Sequence, residues 1–183
     1  MKPTETLKHE HQIVLAVLTG AEREAQNIQA TGEVDAEKMG QILHFFFRVF
    51  VDKCHHSKEE KLLFPRLQQR GMSGEVGPIS IMLREHVEGR EEVVAISDAL
   101  ERHKSGDASA AADIAYHLLA YAELLHDHIT KEDNVLFHFA DDMLTDDDQK
   151  ELAEAFDELE AREIGEGVHE ALHEFAHAIV KNE

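Results

Sequence analysis

Apolar residues recur along most of the chain at the three- and four-residue spacing of one helix face. In the first segment Leu7, Val14 and Leu18 follow this spacing, and Thr4 is the predicted N-cap. Pro65 is predicted to kink or break the second helix, because proline strains a helix interior. The pattern predicts six helices, over about residues 4–29, 35–63, 78–104, 108–140, 145–162 and 168–180.

The residues that break helices are scarce, and the predicted connections are short. The chain has 10 glycines and 3 prolines in 183 residues. Four long helices joined by short connections predict an all-α fold, an up-down-up-down four-helix bundle with an appended C-terminal helical pair. We expect residues 1–142 to form the bundle and residues 143–183 to pack on it as a C-terminal helical extension.

Charge and composition argue against two classes of partner. The formal net charge is −20, and so acidic a surface repels nucleic acid and anionic lipid. The N-terminus lacks the apolar stretch of a signal peptide, and no segment approaches the roughly 20 apolar residues of a membrane span. A single cysteine, Cys54, fits a reducing compartment. We therefore expect a soluble cytoplasmic protein with no nucleic-acid or membrane partner.

An internal repeat places histidine and glutamate at matching positions. The segment HHSKEEKLLF, which begins at His55, is identical to HITKEDNVLF, which begins at His128, at five of ten positions. Each copy contains His-x-x-x-Glu, formed by His55 with Glu59 and by His128 with Glu132. Residues four apart project from the same helix face, so each pair can grip one metal ion or bridge two. A single such pair is often only a surface ion pair, whereas two aligned copies favour a metal site.

Each copy also has an upstream histidine that follows a glutamate. His11 lies 44 residues before His55, and His86 lies 42 residues before His128. The chain thus resembles two helical hairpins, whose pairing would bring four imidazoles and two carboxylates together in the bundle core. Such nitrogen and oxygen donors suit iron, and also manganese or zinc, while the lack of thiolate argues against a structural zinc site.

These motifs are similar to those of the hemerythrin-like family, the HHE cation-binding domains, over roughly residues 7–140. The resemblance implies a four-helix bundle that holds a non-haem di-iron centre, with Glu59 and Glu132 as bridging carboxylates. The metal ligands that it implies are His11, His55, Glu59, His86, His128 and Glu132.

The chain departs from the oxygen-carrying hemerythrins at two positions. Those proteins have a fifth histidine one turn after the third-helix ligand, where this chain has Arg90. Their fourth-helix histidine is paired with an aspartate five residues later, whereas the partner of His128 in this chain is Glu132, at a spacing of four. The departure favours sensing, iron handling or redox chemistry over reversible oxygen carriage. A fifth nitrogen could come from His56, whose side chain points about 100° away from that of His55 on an ideal α-helix. His169 and His173 are the other candidates.

Three functions remain open from the sequence. The leading hypothesis is a di-iron protein that binds or senses oxygen, peroxide or nitric oxide, or handles iron. The alternatives are a di-iron oxidoreductase that consumes peroxide and a non-catalytic helical interaction module with incidental histidines. Whether the protein is an enzyme is left undecided.

Three further features have a more ordinary interpretation. His169-Glu170-Ala171-Leu172-His173 matches the HExxH signature of zinc peptidases, but only ten residues follow it, so we interpret it as a chance match. Cys54 is predicted to be a small core residue rather than a redox-sensitive thiol. Arg90 is predicted to pair with Glu10 or Glu85 beside the metal ligands.

Overall fold

A computed structural model describes residues 1–163 and Gly165, and these residues are almost entirely helical, with no strand among them. All five helices predicted before residue 163 are present, whereas the sixth, predicted over residues 168–180, lies outside the described residues. The helices are α1 (Pro3–Thr31), α2 (Ala36–Gln41, Ile42–His56, Glu59–Leu63 and Phe64–Gln69 in one run), α3 (Pro78–Lys104), α4 (Ala110–Lys131, Glu132–Leu136 and Phe137–Met143 in one run) and α5 (Asp146–Glu163).

Helix α1 begins two residues earlier than predicted. Lys2 is the N-cap, because Pro3 occupies the first helical position and already has the backbone angle of a helix start. The Thr4 hydroxyl instead donates to Asp141 Oδ1 at 2.8 Å. The helix ends at Gly32, whose φ of +73° is a left-handed conformation that favours glycine.

Helices α2 and α4 contain π-helical turns, in which backbone N–H groups bond to the carbonyl five residues back. These turns cover Ile42–His56, Glu59–Leu63 and Glu132–Leu136. Glu59 and Glu132, equivalent residues of the repeat, each open a π-helical turn. The predicted break at Pro65 is absent, since α2 continues through it to Gln69. Pro65 is the second residue of the α-helical segment that follows the π-helical turn, a position near a helix start that proline tolerates.

The four long helices pack closely around a core that is divided into two apolar clusters. Helix α4 contacts α1 and α3, and α2 also contacts α1 and α3. One cluster includes Val14 and Leu125, and the other includes Leu7, Leu63 and Phe137. His11 lies one turn from Leu7 and one turn from Val14, so a polar layer separates the two clusters. The antiparallel order of the helices stays a prediction.

Helix α5 packs against the second apolar cluster. Its Leu152 and Phe156 belong to that cluster, and its Asp148 accepts hydrogen bonds from Arg66 at 2.5 Å and from Arg70 at 2.7 Å. The Thr145 side chain caps the start of α5, since Thr145 Oγ1 accepts from the backbone N–H of Asp148 at 3.2 Å. The domain boundary at residue 142 stays a prediction. No helix among the described residues combines the length and the apolar character that crossing a membrane requires.

Candidate metal centre

The polar layer contains all six residues that the sequence singled out. Each of the four helices α1 to α4 contributes at least one of them, and none is more than 2% exposed. Burying carboxylates and imidazoles is costly unless they find partners, so their surroundings decide what the layer can bind. The six residues are His11, His55, Glu59, His86, His128 and Glu132.

On the side of α1 and α2, two imidazoles and two carboxylates converge. His11 Nε2 lies 3.0 Å from His55 Nε2 and 3.2 Å from Glu132 Oε2. His55 Nε2 lies 3.7 Å from Glu59 Oε1. Ligand atoms of these four residues lie within 4.8 Å of one another, which makes them a possible metal-binding group. We call this group the first cluster.

On the side of α3 and α4, the same arrangement recurs. His86 Nε2 lies 3.2 Å from His128 Nε2 and 3.3 Å from Glu59 Oε2. His128 Nε2 lies 3.4 Å from Glu132 Oε2. Glu59 therefore directs one carboxylate oxygen towards each side, as a carboxylate that bridges two ions would. A second possible metal-binding group, the second cluster, comprises His56, Glu59, His86 and His128.

The two central carboxylates have no hydrogen-bond partner. None of the four oxygens of Glu59 and Glu132 makes a hydrogen bond within the described part of the chain, because the imidazole contacts of 3.2 to 3.7 Å lack hydrogen-bond geometry. A fully buried carboxylate without a partner is rare and costly in a native protein. One or two metal cations between the carboxylates and the imidazoles would satisfy all of these atoms.

The outward-facing nitrogen of each imidazole is held by an acidic side chain. An ionised carboxylate only accepts hydrogen bonds, so each Nδ1 carries the proton and a neutral ring presents the Nε2 lone pair to the centre. Neighbouring acids thus set the tautomer that metal binding requires. The pairs are His11 with Asp133 (2.8 Å), His55 with Glu10 (2.8 Å), His86 with Glu60 (2.7 Å) and His128 with Glu85 (3.0 Å).

These acidic partners follow the repeat, although the sequence analysis did not assign them. Glu10 and Glu85 precede the upstream histidines, while Glu60 and Asp133 each follow a central carboxylate directly. Each upstream acid supports the histidine of the other helix in its own half. The signal that could have found them is the presence of an acid at both equivalent positions in both copies.

Two equivalent lysines extend the network outwards. Lys58 Nζ donates to Glu10 at 2.5 Å and to Glu160 of α5 at 2.8 Å, and Lys131 Nζ donates to Glu85 at 2.5 Å. Burial opposes the charge on Lys58, but Glu10 outweighs it and raises the pKa of the ammonium above its ordinary value. Lys58 is therefore a buried cation between two carboxylates.

Protons occupy the centre when no metal is bound. Burial disfavours the charge on His11, but the hydrogen bond to Asp133 and the nearby Glu132 raise its pKa to about 10. Burial and the charge of Glu132 raise the pKa of Glu59 well above its ordinary value. Glu59 and Glu132 do not ionise equally, because their negative charges would repel each other, and the imidazolium of His11 compensates the charge of the carboxylate that is ionised.

The comparison with protein families agrees with this geometry. The family model of the hemerythrin HHE cation binding domain matches residues 2–140. The chain belongs to the hemerythrin HHE family. The domains of this family bind metal ions, typically iron, and the buried histidine and glutamate clusters of this HHE domain fit that role.

Three mycobacterial relatives of this HHE protein carry names that state no function. Uncharacterized proteins of Mycobacterium bovis and of two Mycobacterium tuberculosis strains are 25% identical to it over 162 residues. The matched region covers 88% of this chain but 62% of each relative, so the chain spans about three fifths of the length of these curated relatives. No solved structure matches the chain.

His56 enters the HHE centre although its predicted direction disfavoured it. It is 3% exposed, its ring stacks on His86 with centroids 3.8 Å apart, and its Nδ1 has no hydrogen-bond partner. Burial lowers the pKa of His56 well below its ordinary value, so the ring is neutral. The angle of 100° assumed an α-helix, whereas His56 ends a π-helical segment, in which side chains follow one another at a different angle. His169 and His173 lie outside the described residues, together with the HExxH match.

The predicted pairing of Arg90 is wrong. Its guanidinium donates to Asp52 and to Glu60, each at 2.7 Å. Glu10 and Glu85, the predicted partners, are already bound to Lys58 and Lys131. Arg90 instead fixes Glu60, the acid that holds His86.

Cys54 is fully buried and lies outside the two clusters. Burial raises the pKa of its thiol to about 12, so the reactive thiolate is scarce. Its Sγ lies 3.9 Å from Glu160 Oε2. Glu10, Cys54 and Glu160 are close enough to hold a cation, but the Lys58 ammonium already binds both carboxylates. These contacts agree with the predicted core role.

Proposed function

We propose that this HHE protein binds two iron ions in the polar layer and uses them to bind or sense oxygen, peroxide or nitric oxide. The unpartnered carboxylates of Glu59 and Glu132, which lie between four imidazoles, carry this proposal. The ligands would be the predicted six residues, and His56 would add a nitrogen on the side of His86 and His128. We also propose the up-down-up-down order of the bundle, because it lets the two repeat halves face each other.

A small cavity beside the centre supports a small ligand. It measures about 10 Å³, enough for roughly one water-sized molecule. Its lining combines four histidines with four aliphatic side chains, so a molecule there would contact the centre in a largely apolar environment. The lining residues are His11, His55, His56, His128, Val14, Val51, Leu125 and Ile129.

Bound iron would supply electron exchange with such a ligand, and the protein side chains prepare the site for it. The four outer acids hold the Nδ1 side of each imidazole and aim each Nε2 inward, and the apolar clusters on both sides limit the access of water. Because Arg90 stands where the oxygen carriers have a histidine, we propose sensing or redox chemistry rather than oxygen storage. A peroxide-consuming activity is the enzymatic form of the same proposal.

Iron stoichiometry tests the proposal directly. After anaerobic loading with Fe(II) and removal of free metal, we expect about two iron ions per chain by elemental analysis, because each of the two clusters offers a set of ligands and Glu59 belongs to both. Exposure to peroxide or oxygen should then produce the charge-transfer absorption of an oxygen-bridged iron pair. Fewer than one iron per chain would refute the di-iron function. Sustained peroxide turnover, instead of a single stoichiometric reaction, would favour the oxidoreductase.

Iron affinity is expected to rise with pH. With its pKa at about 10, His11 is protonated at neutral pH, and iron must displace that proton. Below the pKa of the group that loses its proton, each rise of one pH unit increases the apparent association constant for iron about tenfold for every proton that iron displaces. Calorimetric titration in buffers of different ionisation enthalpy measures the release. Asp133→Asn, which removes the partner that raises this pKa, should reduce the number of protons released, and a pH-independent affinity would contradict the prediction.

A further inference from the structure

A second cavity, of about 230 Å³, lies on the outer side of His56. It opens between α2 and α3, with Tyr121 of α4 also lining it. Its volume is below the roughly 300–1,000 Å³ of pockets that hold drug-sized ligands, so it suits a smaller organic molecule. No part of the proposed di-iron function requires a cavity of this size.

The inner part of this cavity is apolar. The rings of Phe47 and Tyr121 pack with centroids 4.5 Å apart, and Val93 lies beside them in the lining. Gly89 also lines the cavity, and a Cβ at that position would contact the Tyr121 ring at an ordinary 3.5 Å. The missing side chain of Gly89 therefore leaves room that a larger residue would fill.

The outer part carries positive charge in a strongly acidic protein. Arg48, Lys53 and Arg90 line it, against one carboxylate, Asp52. Arg90 is bound to Asp52 and Glu60, whereas Arg48 and Lys53 form no ion pair within the described part of the chain. The two are exposed and five residues apart, and the wide π-helical turn brings such residues to one face of α2.

We propose that this cavity binds a small organic anion, a carboxylate with a compact apolar body. The apolar body would contact Phe47, Tyr121 and the backbone of Gly89, while Arg48 and Lys53 would attract the carboxylate. His56 lines both this cavity and the small cavity at the histidines, so the bound anion would lie next to the metal centre. Only this last consequence rests on the proposed di-iron function.

Benzoate is a suitable probe, and benzamide is its neutral counterpart of the same shape. We expect benzoate to bind the full-length metal-free protein by calorimetric titration, with backbone NMR shifts at Gly89, Val93 and Tyr121. Benzamide should bind about tenfold more weakly, and added salt should weaken benzoate alone, because exposed charges are screened. Equal binding of both compounds, or benzoate shifts confined to other residues, would refute the anion site.

Paired variants separate the apolar part from the charged part. Gly89→Leu should weaken benzoate binding more than tenfold by filling the cavity, and Gly89→Ala should have a smaller effect. The double variant Arg48→Ala and Lys53→Ala should weaken it about fivefold, whereas Arg84→Ala with Lys150→Ala, which removes equal charge from exposed positions outside the cavity lining, should change it less than twofold. Equal losses in both double variants would show an effect of net charge and refute the site.

Iron content, measured on the same samples, distinguishes the two proposals. Benzoate binding by a protein that takes up no iron would leave the anion site standing and refute the di-iron function. Full iron loading, with no benzoate binding in either the metal-free or the loaded protein, would support the di-iron function and refute the anion site.

Discussion

Replacement of Glu59 and Glu132 by glutamine is expected to abolish iron binding while the chain stays folded. Glutamine keeps the shape of glutamate but lacks the negative charge that holds and bridges cations. Both carboxylates are fully buried, and each approaches imidazoles on the two sides of the layer. Iron per chain should fall from about two to nearly zero in the double variant, as measured by elemental analysis after anaerobic loading.

The same double variant should destabilise the metal-free protein. In that state Glu59 holds a proton and the imidazolium of His11 compensates the ionised Glu132, so glutamine at both positions removes one partner of a buried ion pair, at a cost of about 1–3 kcal/mol in the free energy of unfolding. Thermal unfolding with a chelator present should therefore show a lower midpoint for the variant than for the parent. Glu101→Gln, at an exposed position, is the control and should change neither the iron content per chain nor the midpoint of thermal unfolding. Unchanged iron uptake in the double variant would contradict the assignment of the bridging carboxylates.

The second large effect is expected for Lys58→Met. Lys58 is 1% exposed and is bound to the buried Glu10 as well as to Glu160, so its loss leaves the Glu10 carboxylate buried without its cation. Removing one partner of a buried ion pair costs about 3–5 kcal/mol in the free energy of unfolding. Urea denaturation of the metal-free protein measures this loss, and iron affinity should also fall because Glu10 orients His55.

The repeat supplies the matched control for that variant. Lys131 makes the equivalent bond to Glu85, but its side chain is 44% exposed, so Lys131→Met should cost only about 0–1 kcal/mol. Adding Glu10→Gln to Lys58→Met should recover part of the lost stability, since a neutral amide still accepts the hydrogen bond from His55. Equal losses in the two single lysine variants would contradict the buried-cation interpretation.

The sequence predicted correctly that the chain is helical and that it belongs to the hemerythrin HHE family. It also singled out six residues that the structure brings together, because i, i+4 spacing and a duplicated motif are local signals. The role of these residues as ligands, the two iron ions and the physiological ligand stay predictions.

Features that depend on helix type or on contacts between helices could not be predicted. The direction of His56 was derived from α-helical geometry, and hydrophobic spacing does not reveal π-helical turns. The pairing of Arg90 depended on which acids the lysines had already bound. The repeat marks Glu60 and Asp133 as equivalent acids, but which histidine each one supports appears only once the helices are assembled.

Helix α5 lies beyond the residues that match the HHE family, yet it bonds to the side chains that support the centre. Glu160 binds Lys58, Lys58 binds Glu10, and Glu10 holds His55. The docking of α5 and the affinity for metal are therefore thermodynamically linked, and the linkage acts equally in both directions. A fragment trimmed to residues 2–140 would keep every proposed ligand and still hold its metal less tightly, while loading the full-length protein with metal should protect α5 from proteolysis.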